Sequence, residues 1–299
     1  MGKIAFIFSG QGDQYPGMGK ELYDKYPAAR AVFDMCDRLR PGTSLQCFEG
    51  TEEELKITAN TQPCLFALEL AYAAVLSEKG AAPAAAAGFS LGEVAAATFV
   101  GLFDNETGFH LVCRRGELMQ SEAEKFDTSM AAVVKLTDDK VRELCDRYSD
   151  VYPVNFNCPG QVSVSGLSSQ MKDFFSDVKA AGGRAIPLKV RGAFHSPFMS
   201  DAAAAFAREL ETVEIGKNAV PLYSNMTAQP YSQDAASLLS GQICSPVLWE
   251  RLIRNMIESG IDTFVEIGPG KTLTNMVKKI NPEMTALSAQ EYLTEVEAC

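Results

Sequence analysis

The sequence lacks any long hydrophobic run. No uncharged apolar stretch reaches about 18 residues, the length that a helix needs to cross a bilayer. At the start, MGKIAFIFSGQG offers an apolar run of only about six residues with glycines behind it, too short for the apolar core of a signal peptide. We therefore expect a cytoplasmic protein that has no membrane as a partner.

Paired cysteine motifs are also missing. The sequence has eight cysteines but no C-x-x-C pair, so it predicts neither a zinc site nor a disulfide framework, and no metal is expected. We expect these thiols to be buried as small apolar side chains. They are Cys36, Cys47, Cys64, Cys113, Cys145, Cys158, Cys244 and Cys299.

Basic residues are few. Lys and Arg number 27 against 38 Asp and Glu, and the net charge of −11 is spread through the chain. This balance disfavours nucleic acid and anionic membranes as partners. An acidic protein partner would need a local basic patch.

Two glycine-rich segments lack the glycine that a nucleotide site requires. In SGQGDQYPGMG, the dinucleotide fingerprint needs glycine where Tyr15 stands, and in VEIGPGKT the phosphate loop needs glycine where Val265 stands. Neither segment predicts a bound nucleotide cofactor.

Short apolar runs do alternate with helical patterns, which predicts an α/β fold with a mainly parallel sheet. One helix is expected over 62–79, ending near Gly80. The expected strands of this sheet are 3–9, 84–88, 221–225, 262–268 and 285–288.

The middle of the chain has a different order. Residues 130–190 read as strand, helix, strand, strand, helix and strand, which is the ferredoxin-like βαββαβ pattern. We expect an inserted subdomain over 127–190 and a discontinuous large domain over 1–126 and 191–299. A cleft should lie where the two meet.

Ser90 is the candidate nucleophile. It lies in the G-x-S-x-G segment from Gly88 to Gly92, with a predicted strand before it and a helical stretch after it, as in a nucleophile elbow. The first helical N–H groups, including that of Leu91, could then stabilise an oxyanion. The pattern alone is equally compatible with a glycine-lined strand-to-helix turn.

The sequence offers two histidines as the base. His110 lies in a helix-like run and is expected to be an ordinary helix residue, whereas His195 lies in RGAFHSPFM, where the insert rejoins the main sheet. Histidine suits proton exchange near neutral pH. We assign His195 as the base.

Arg115 is predicted to project from an apolar helix stripe, because Leu111, Val112, Leu118 and Met119 surround it at helical spacing. Arg114 lies on a more polar face. A buried guanidinium needs an anion. That anion is either a structural carboxylate elsewhere in the chain or a carboxylate of the substrate.

With these residues in view, the chain resembles the malonyl-CoA:acyl carrier protein transacylases and the acyltransferase domains of polyketide synthases. The resemblance covers nearly the whole length and implies an α/β-hydrolase-like large domain. It is carried by the ordered segments FIFSGQGDQYPGMG, TQPCLFALE, GFSLGE, RRGELMQ, NFNCPGQVSVSG, GAFHSPFM, PLYSN, SPVLW and FVEIGPGKTL.

The resemblance implies a role for each matching position. The nucleophile falls on Ser90, the base on His195 and the carboxylate-binding arginine on Arg115. The family's oxyanion hole uses the backbone N–H groups that match Gln11 and Leu91. A backbone carbonyl, here that of Gln242, orients the histidine in place of an acidic residue, and Gln161 matches a glutamine near the acyl group.

Two further positions bear on the acyl group. The family usually has histidine before the nucleophile, where this chain has Phe89, so contacts around the acyl group differ there. Phe194, just before His195, resembles the form of its motif that is associated with malonyl units. Arg115 itself is a residue that the family's acyl hydrolases tend to lose.

The implied reaction is ping-pong transfer of malonyl from malonyl-CoA to the phosphopantetheine thiol of an acyl carrier protein, for fatty acid or polyketide synthesis, with no bound cofactor. One alternative is a serine hydrolase or thioesterase of the α/β-hydrolase class, which would place an acidic triad residue between serine and histidine. Another is a subunit that docks carrier proteins in a polyketide or malonate-metabolising complex.

Overall fold

The computed structural model describes residues 2–232 and 234–298. The strands within them are β1 Lys3–Phe8, β2 Ala85–Gly88, β3 Thr128–Val134, β4 Val151–Cys158, β5 Gln161–Leu167, β6 Arg184–Arg191, β7 Leu222–Tyr223, β8 Ile261–Ile267 and β9 Thr285–Ser288. The α-helices are α1 Lys20–Lys25, α2 Pro27–Leu39, α3 Thr43–Glu49, α4 Glu52–Lys56, α5 Thr58–Glu78, α6 Leu91–Phe99, α7 Asn105–Ala123, α8 Asp138–Cys145, α9 Ser168–Ala180, α10 Ser200–Leu210, α11 Ala235–Gly241, α12 Trp249–Glu258, α13 Thr272–Ile280 and α14 Ala289–Ala298. Short 3-10 turns cover Pro197–Met199 and Gln242–Cys244.

The main sheet is parallel and has the strand order β7-β2-β1-β8-β9. Phe6 and Phe8 point to the face covered by α5, α6 and α7, whereas Ala5 and Ile7 point to the face covered by α12 and α13. Burial of both faces is what a parallel sheet requires, and it explains why its strands read as continuous apolar runs. The predicted α/β fold is confirmed.

The alanine-rich β2 shows tertiary packing overriding a weak strand propensity. It pairs with β1 on one side and β7 on the other, and Ala85, Ala86 and Ala87 are buried. α6 follows after two residues, Phe89 and Ser90, and packs back on β1 and β2.

Two of the expected elements have bounds that differ from the expectation by more than one residue. α5 begins at Thr58 rather than near residue 62. Pro63 removes only its own N–H group from the helix, and the turn before it is formed by hydrogen bonds from the N–H groups of Asn60 and Thr61 to the carbonyl of Ile57. β7 covers two residues rather than five, because the backbone leaves the sheet after Tyr223.

The predicted insert forms its own antiparallel sheet, with the strand order β4-β5-β3-β6 and with α8 and α9 packed on it. This is the ferredoxin-like arrangement expected from the order of elements. Reciprocal backbone bonds join β4 to Val247, which precedes α12: Phe156 N–H donates to the carbonyl of Val247, and Val247 N–H donates to that of Val154. The two sheets are thus connected beside the site described below.

The cysteines of the described residues are free thiols, five of them buried and two partly buried. Across residues 2–232 and 234–298, no helix combines the length and apolarity needed to cross a membrane. Cys299 lies outside the described residues.

Candidate active site

Ser90 occupies a sharp turn between β2 and α6, with φ of 56° and ψ of −108°. The two glycines of the motif allow the backbone segments at the turn to approach each other closely. A Cβ atom on Gly88 would lie 1.9 Å from the backbone carbonyl group of Gly92, and one on Gly92 would lie 2.4 Å from the carbonyl oxygen of Phe8. The turn is therefore a nucleophile elbow in geometry as well as in sequence.

His195 lies against this serine. Its Nε2 is 2.8 Å from Ser90 Oγ, and its Nδ1 is 2.8 Å from the backbone carbonyl oxygen of Gln242. A carbonyl oxygen only accepts, so Nδ1 carries the proton and Nε2 is left to accept one from the serine. His110, in contrast, is exposed on α7 and takes no part in this cluster.

The surroundings of His195 keep its imidazole neutral. Burial and then the Arg115 cation lower its pKa to about 4, and the hydrogen bond to the carbonyl of Gln242 opposes this shift. At neutral pH the ring is therefore available as a proton acceptor.

Arg115 is fully buried and points at the same serine. Its Nη2 donates to Ser90 Oγ at 3.2 Å and to Gln242 Oε1 at 3.0 Å, and its Nη1 donates to Gln62 Oε1 at 2.7 Å. Among the described residues, no carboxylate lies within 4.0 Å of this guanidinium, and its Nε has no hydrogen-bond partner. Of the two hypotheses for Arg115, the geometry favours binding of an external anion over a structural ion pair within the chain.

The charge on Arg115 persists in this buried position. Burial lowers its pKa to about 10, and the carboxyl of Glu93 opposes that shift. Burial also raises the pKa of Glu93 to about 8, and the hydrogen bonds from Tyr231 and Asn225 and the Arg115 cation oppose that shift. A guanidinium held by neutral oxygens in a dry site is a strong receptor for a carboxylate.

Gln242 contributes both its backbone and its side chain. In addition to the carbonyl at His195 and the Oε1 at Arg115, its Nε2 donates to the backbone carbonyl oxygen of Ser90 at 2.9 Å. One residue therefore contacts the serine, the histidine and the arginine together. The family resemblance pointed to the backbone carbonyl of Gln242, and the contacts of its side chain were not predicted.

A cavity of about 90 Å³ opens in front of Ser90. Gln11 and Leu91 line it, and Leu91, as the first residue of α6, carries an N–H group that has no acceptor within the helix. The side chain of Gln11 is held by Thr58. Phe194 also lines the cavity, and Met119 and Met130 add apolar surface.

Gln161 lies in a neighbouring cavity of about 200 Å³ rather than in the one at Ser90. Phe89 forms part of the wall of both cavities, and its ring packs edge-on against Trp249 with centroids 5.3 Å apart. Phe89 therefore occupies a place between the serine site and the space beside Gln161.

Three contacts were not predicted. Gln62 holds Arg115, Asn225 accepts from the backbone N–H of Ser90 at 2.7 Å, and Glu93 accepts from the backbone N–H of Asn225 at 3.1 Å. Each lies within a segment that carries the family resemblance, TQPCLFALE, PLYSN or GFSLGE. The sequence therefore marked these segments, but it did not show which residue each of the three side chains contacts.

Comparison with known proteins supports the family resemblance of the sequence. A family model described as acyl transferase domain matches residues 5–293. The malonyl CoA-acyl carrier protein transacylase of Bacillus subtilis (strain 168) is 37% identical, with 97% of this chain and 94% of that protein covered.

Solved structures give the same result. The crystal structure of the malonyl CoA-acyl carrier protein transacylase from Clostridium perfringens superposes with a TM-score of 0.94 at 34% identity, covering 99% of this chain and 98% of that chain. A type II polyketide synthase acyl-carrier protein in complex with its malonyl-transacylase matches with a TM-score of 0.93 at 32% identity, covering 99% and 100%. The chain therefore belongs to the malonyl-CoA:acyl carrier protein transacylase family of acyltransferases.

Proposed function

We propose that this chain transfers a malonyl group from malonyl-CoA to the phosphopantetheine thiol of an acyl carrier protein through an ester on Ser90. The observation that carries the proposal is the convergence on one oxygen atom: Ser90 Oγ lies 2.8 Å from His195 Nε2 and 3.2 Å from Arg115 Nη2. A nucleophile, a base and a cation that can hold a carboxylate therefore meet at one point.

In the first half-reaction, His195 Nε2 takes the proton of Ser90 Oγ as this oxygen attacks the thioester carbonyl carbon. The backbone N–H groups of Gln11 and Leu91 are proposed to stabilise the resulting oxyanion. Collapse of the tetrahedral intermediate breaks the carbon–sulfur bond, and the imidazolium gives its proton to the departing coenzyme A sulfur. A malonyl ester on Ser90 remains.

The second half-reaction reverses these roles. His195 takes the proton of the carrier's phosphopantetheine thiol, the sulfur attacks the ester carbonyl, and Ser90 leaves with the proton that His195 returns. The reaction therefore needs its two substrates and no bound cofactor.

Arg115 is proposed to bind the free carboxylate of the malonyl group throughout. Gln62 and Gln242 hold the guanidinium in place, and the unpartnered Nε is a further donor. We propose that Phe89 and Phe194 shape the acyl site from the apolar side, and that Gln161 acts from the neighbouring cavity.

The site is proposed to lie in a cleft between the large domain, 1–126 and 191–299, and the small subdomain, 127–190. In support of this division, the insert's sheet and its helices α8 and α9 enclose a hydrophobic core of their own, and the cavity at Ser90 takes residues from both parts of the chain. The acyl carrier protein is proposed to serve fatty acid or polyketide synthesis. We propose a cytoplasmic location, which the free thiols support.

The hydrolase alternative finds less support in this geometry. A hydrolase triad would place a carboxylate against Nδ1 of the histidine, whereas a backbone carbonyl occupies that position here. A hydrolase for uncharged acyl groups also has no use for Arg115.

The experiment that separates the two activities starts from enzyme preloaded with radiolabelled malonyl and compares holo-carrier protein with water as acceptor. We expect label to move to the holo-carrier at least 100-fold faster than to water, with apo-carrier, which lacks the thiol, as the matched control. Release of free malonate at the same rate with or without holo-carrier would instead identify a hydrolase.

A further inference from the structure

The Ser90 backbone conformation needs an external restraint. A non-glycine residue with φ near +56° occupies a sparsely populated region that costs about 1–3 kcal/mol and persists only when its surroundings impose it. None of the residues assigned above to chemistry holds both sides of this turn. Gln242 bonds only the carbonyl of Ser90, and the bonds on both sides of the turn come from the loop that follows β7.

The Asn225 side chain holds the turn on both sides. Its Oδ1 accepts from Ser90 N–H at 2.7 Å, and its Nδ2 donates to the carbonyl oxygen of Gly88 at 2.5 Å. In a parallel ladder, a residue donates to the carbonyl before its partner and accepts from the N–H after it. The amide of Asn225 reproduces that pattern around Phe89.

The sheet register explains why a side chain takes the place of the backbone here. Ala87 pairs with Tyr223, so Phe89 stands in register with position 225, two residues beyond the end of β7. The backbone of Asn225 is bonded elsewhere, because its N–H donates to Glu93 Oε1 at 3.1 Å and its carbonyl oxygen accepts from Leu248 N–H at 2.9 Å. The side chain therefore continues the ladder after the backbone has left it.

Glu93 links Asn225 back to the elbow. It lies in the first turn of α6, the helix that follows Ser90, and its Oε1 also accepts from the hydroxyl of Tyr231 at 2.6 Å. Glu93 and Asn225 are both fully buried. The backbone N–H of Glu93 donates to the carbonyl oxygen of Ser90 at 3.1 Å, so hydrogen bonds run in a ring from the elbow to Asn225, to Glu93 and back to the elbow.

We infer that Asn225 is a positioning residue, which holds Ser90 so that its Oγ reaches His195 and the N–H of Leu91 faces the acyl carbonyl. Glu93 holds Asn225 in turn. This inference rests on the proposed function, because it assumes that Ser90 forms the acyl ester. A misplacement of about 1 Å at a reacting atom can cost roughly 100-fold in rate.

The test uses two variants of the full chain. Asn225→Ala removes both bonds to the elbow, and the isosteric Asn225→Asp keeps an acceptor for Ser90 but loses the donor to Gly88. We expect the single-turnover rate of Ser90 malonylation at saturating malonyl-CoA to fall by about tenfold to 100-fold in both, with half-saturation near the wild-type concentration. Rapid quench followed by mass spectrometry measures it, at a temperature where circular dichroism shows a folded protein.

Asn255→Ala is the matched control. Asn255 Nδ2 also donates to a backbone carbonyl, that of Ala228 at 2.7 Å, but it does not touch the elbow. This variant should lose thermal stability and keep its malonylation rate. Folded Asn225 variants that malonylate at the wild-type rate would overturn the inference alone. A wild-type enzyme that forms no ester on Ser90 would overturn the proposed function and this inference with it.

Discussion

Replacement of His195 by alanine is expected to lower the rate of malonyl transfer by about 100-fold or more, the usual scale for loss of a general base. The imidazole is the group placed 2.8 Å from Ser90 Oγ with a nitrogen free to accept its proton. The measurement is the initial rate of transfer from malonyl-CoA to holo-carrier protein.

His110→Ala provides the control, because His110 is exposed on α7 and should leave the rate near that of the wild type. A large loss in His110→Ala with little change in His195→Ala would refute the assignment of the base.

The same assignment sets the acidic limb of the wild-type pH profile. Since burial and the Arg115 cation lower the pKa of His195 to about 4, the base stays neutral through weakly acidic pH, and kcat/KM for malonyl-CoA should fall only as the pH approaches 4. The unfolded chain takes up this proton near pH 6.5, so the contribution of His195 to stability should decline from about pH 6.5 down to 4. A kinetic midpoint near 6.5 would contradict the buried, neutral imidazole.

Replacement of Arg115 by alanine should remove roughly 1.5 to 3 kcal/mol of transition-state binding for malonyl-CoA, as expected for a hydrogen bond to a charged group. Acetyl-CoA has no carboxylate, so its reaction should fall little or even rise. The preference for malonyl over acetyl should then collapse by about tenfold to 100-fold, measured as the ratio of the two kcat/KM values.

Arg114→Ala is the matched control on the same helix. Arg114 pairs with Glu117 and Glu209 at a partly exposed surface, where ion pairs contribute little. This variant should change neither the acyl preference nor the stability much. A well-folded Arg115→Ala enzyme that keeps its preference for malonyl would place the anion site elsewhere, with Phe89 the first position to test.

Much of the fold could be predicted because its local signals agree with its packing. The βαββαβ order could be predicted because each element of the insert has its own apolar periodicity. The elbow could be predicted because the turn has no room for a Cβ atom at positions 88 and 92, so the sequence must carry glycine there. The end of β7 could not be predicted, since the segment PLYSN does not show that the Asn225 side chain replaces its backbone in the ladder.

In the site, too, local sequence signals predicted some features, and only the tertiary structure shows the others. An apolar helix stripe was enough to predict that Arg115 is buried, but helical spacing says nothing about its partners. Gln62 and Gln242 reach Arg115 from other elements, so only the tertiary structure reveals that neutral amides hold it. The same limit applies to Gln161, which the resemblance put near the acyl group and the structure puts in the adjoining cavity.

The most direct test of the central claim is the intact mass of the enzyme after incubation with malonyl-CoA and no carrier protein, followed by peptide mapping. The account predicts a single added malonyl group, located on Ser90 and absent from a Ser90→Ala enzyme. Malonyl found on a cysteine, or an enzyme that transfers malonyl while Ser90 stays unmodified, would contradict it.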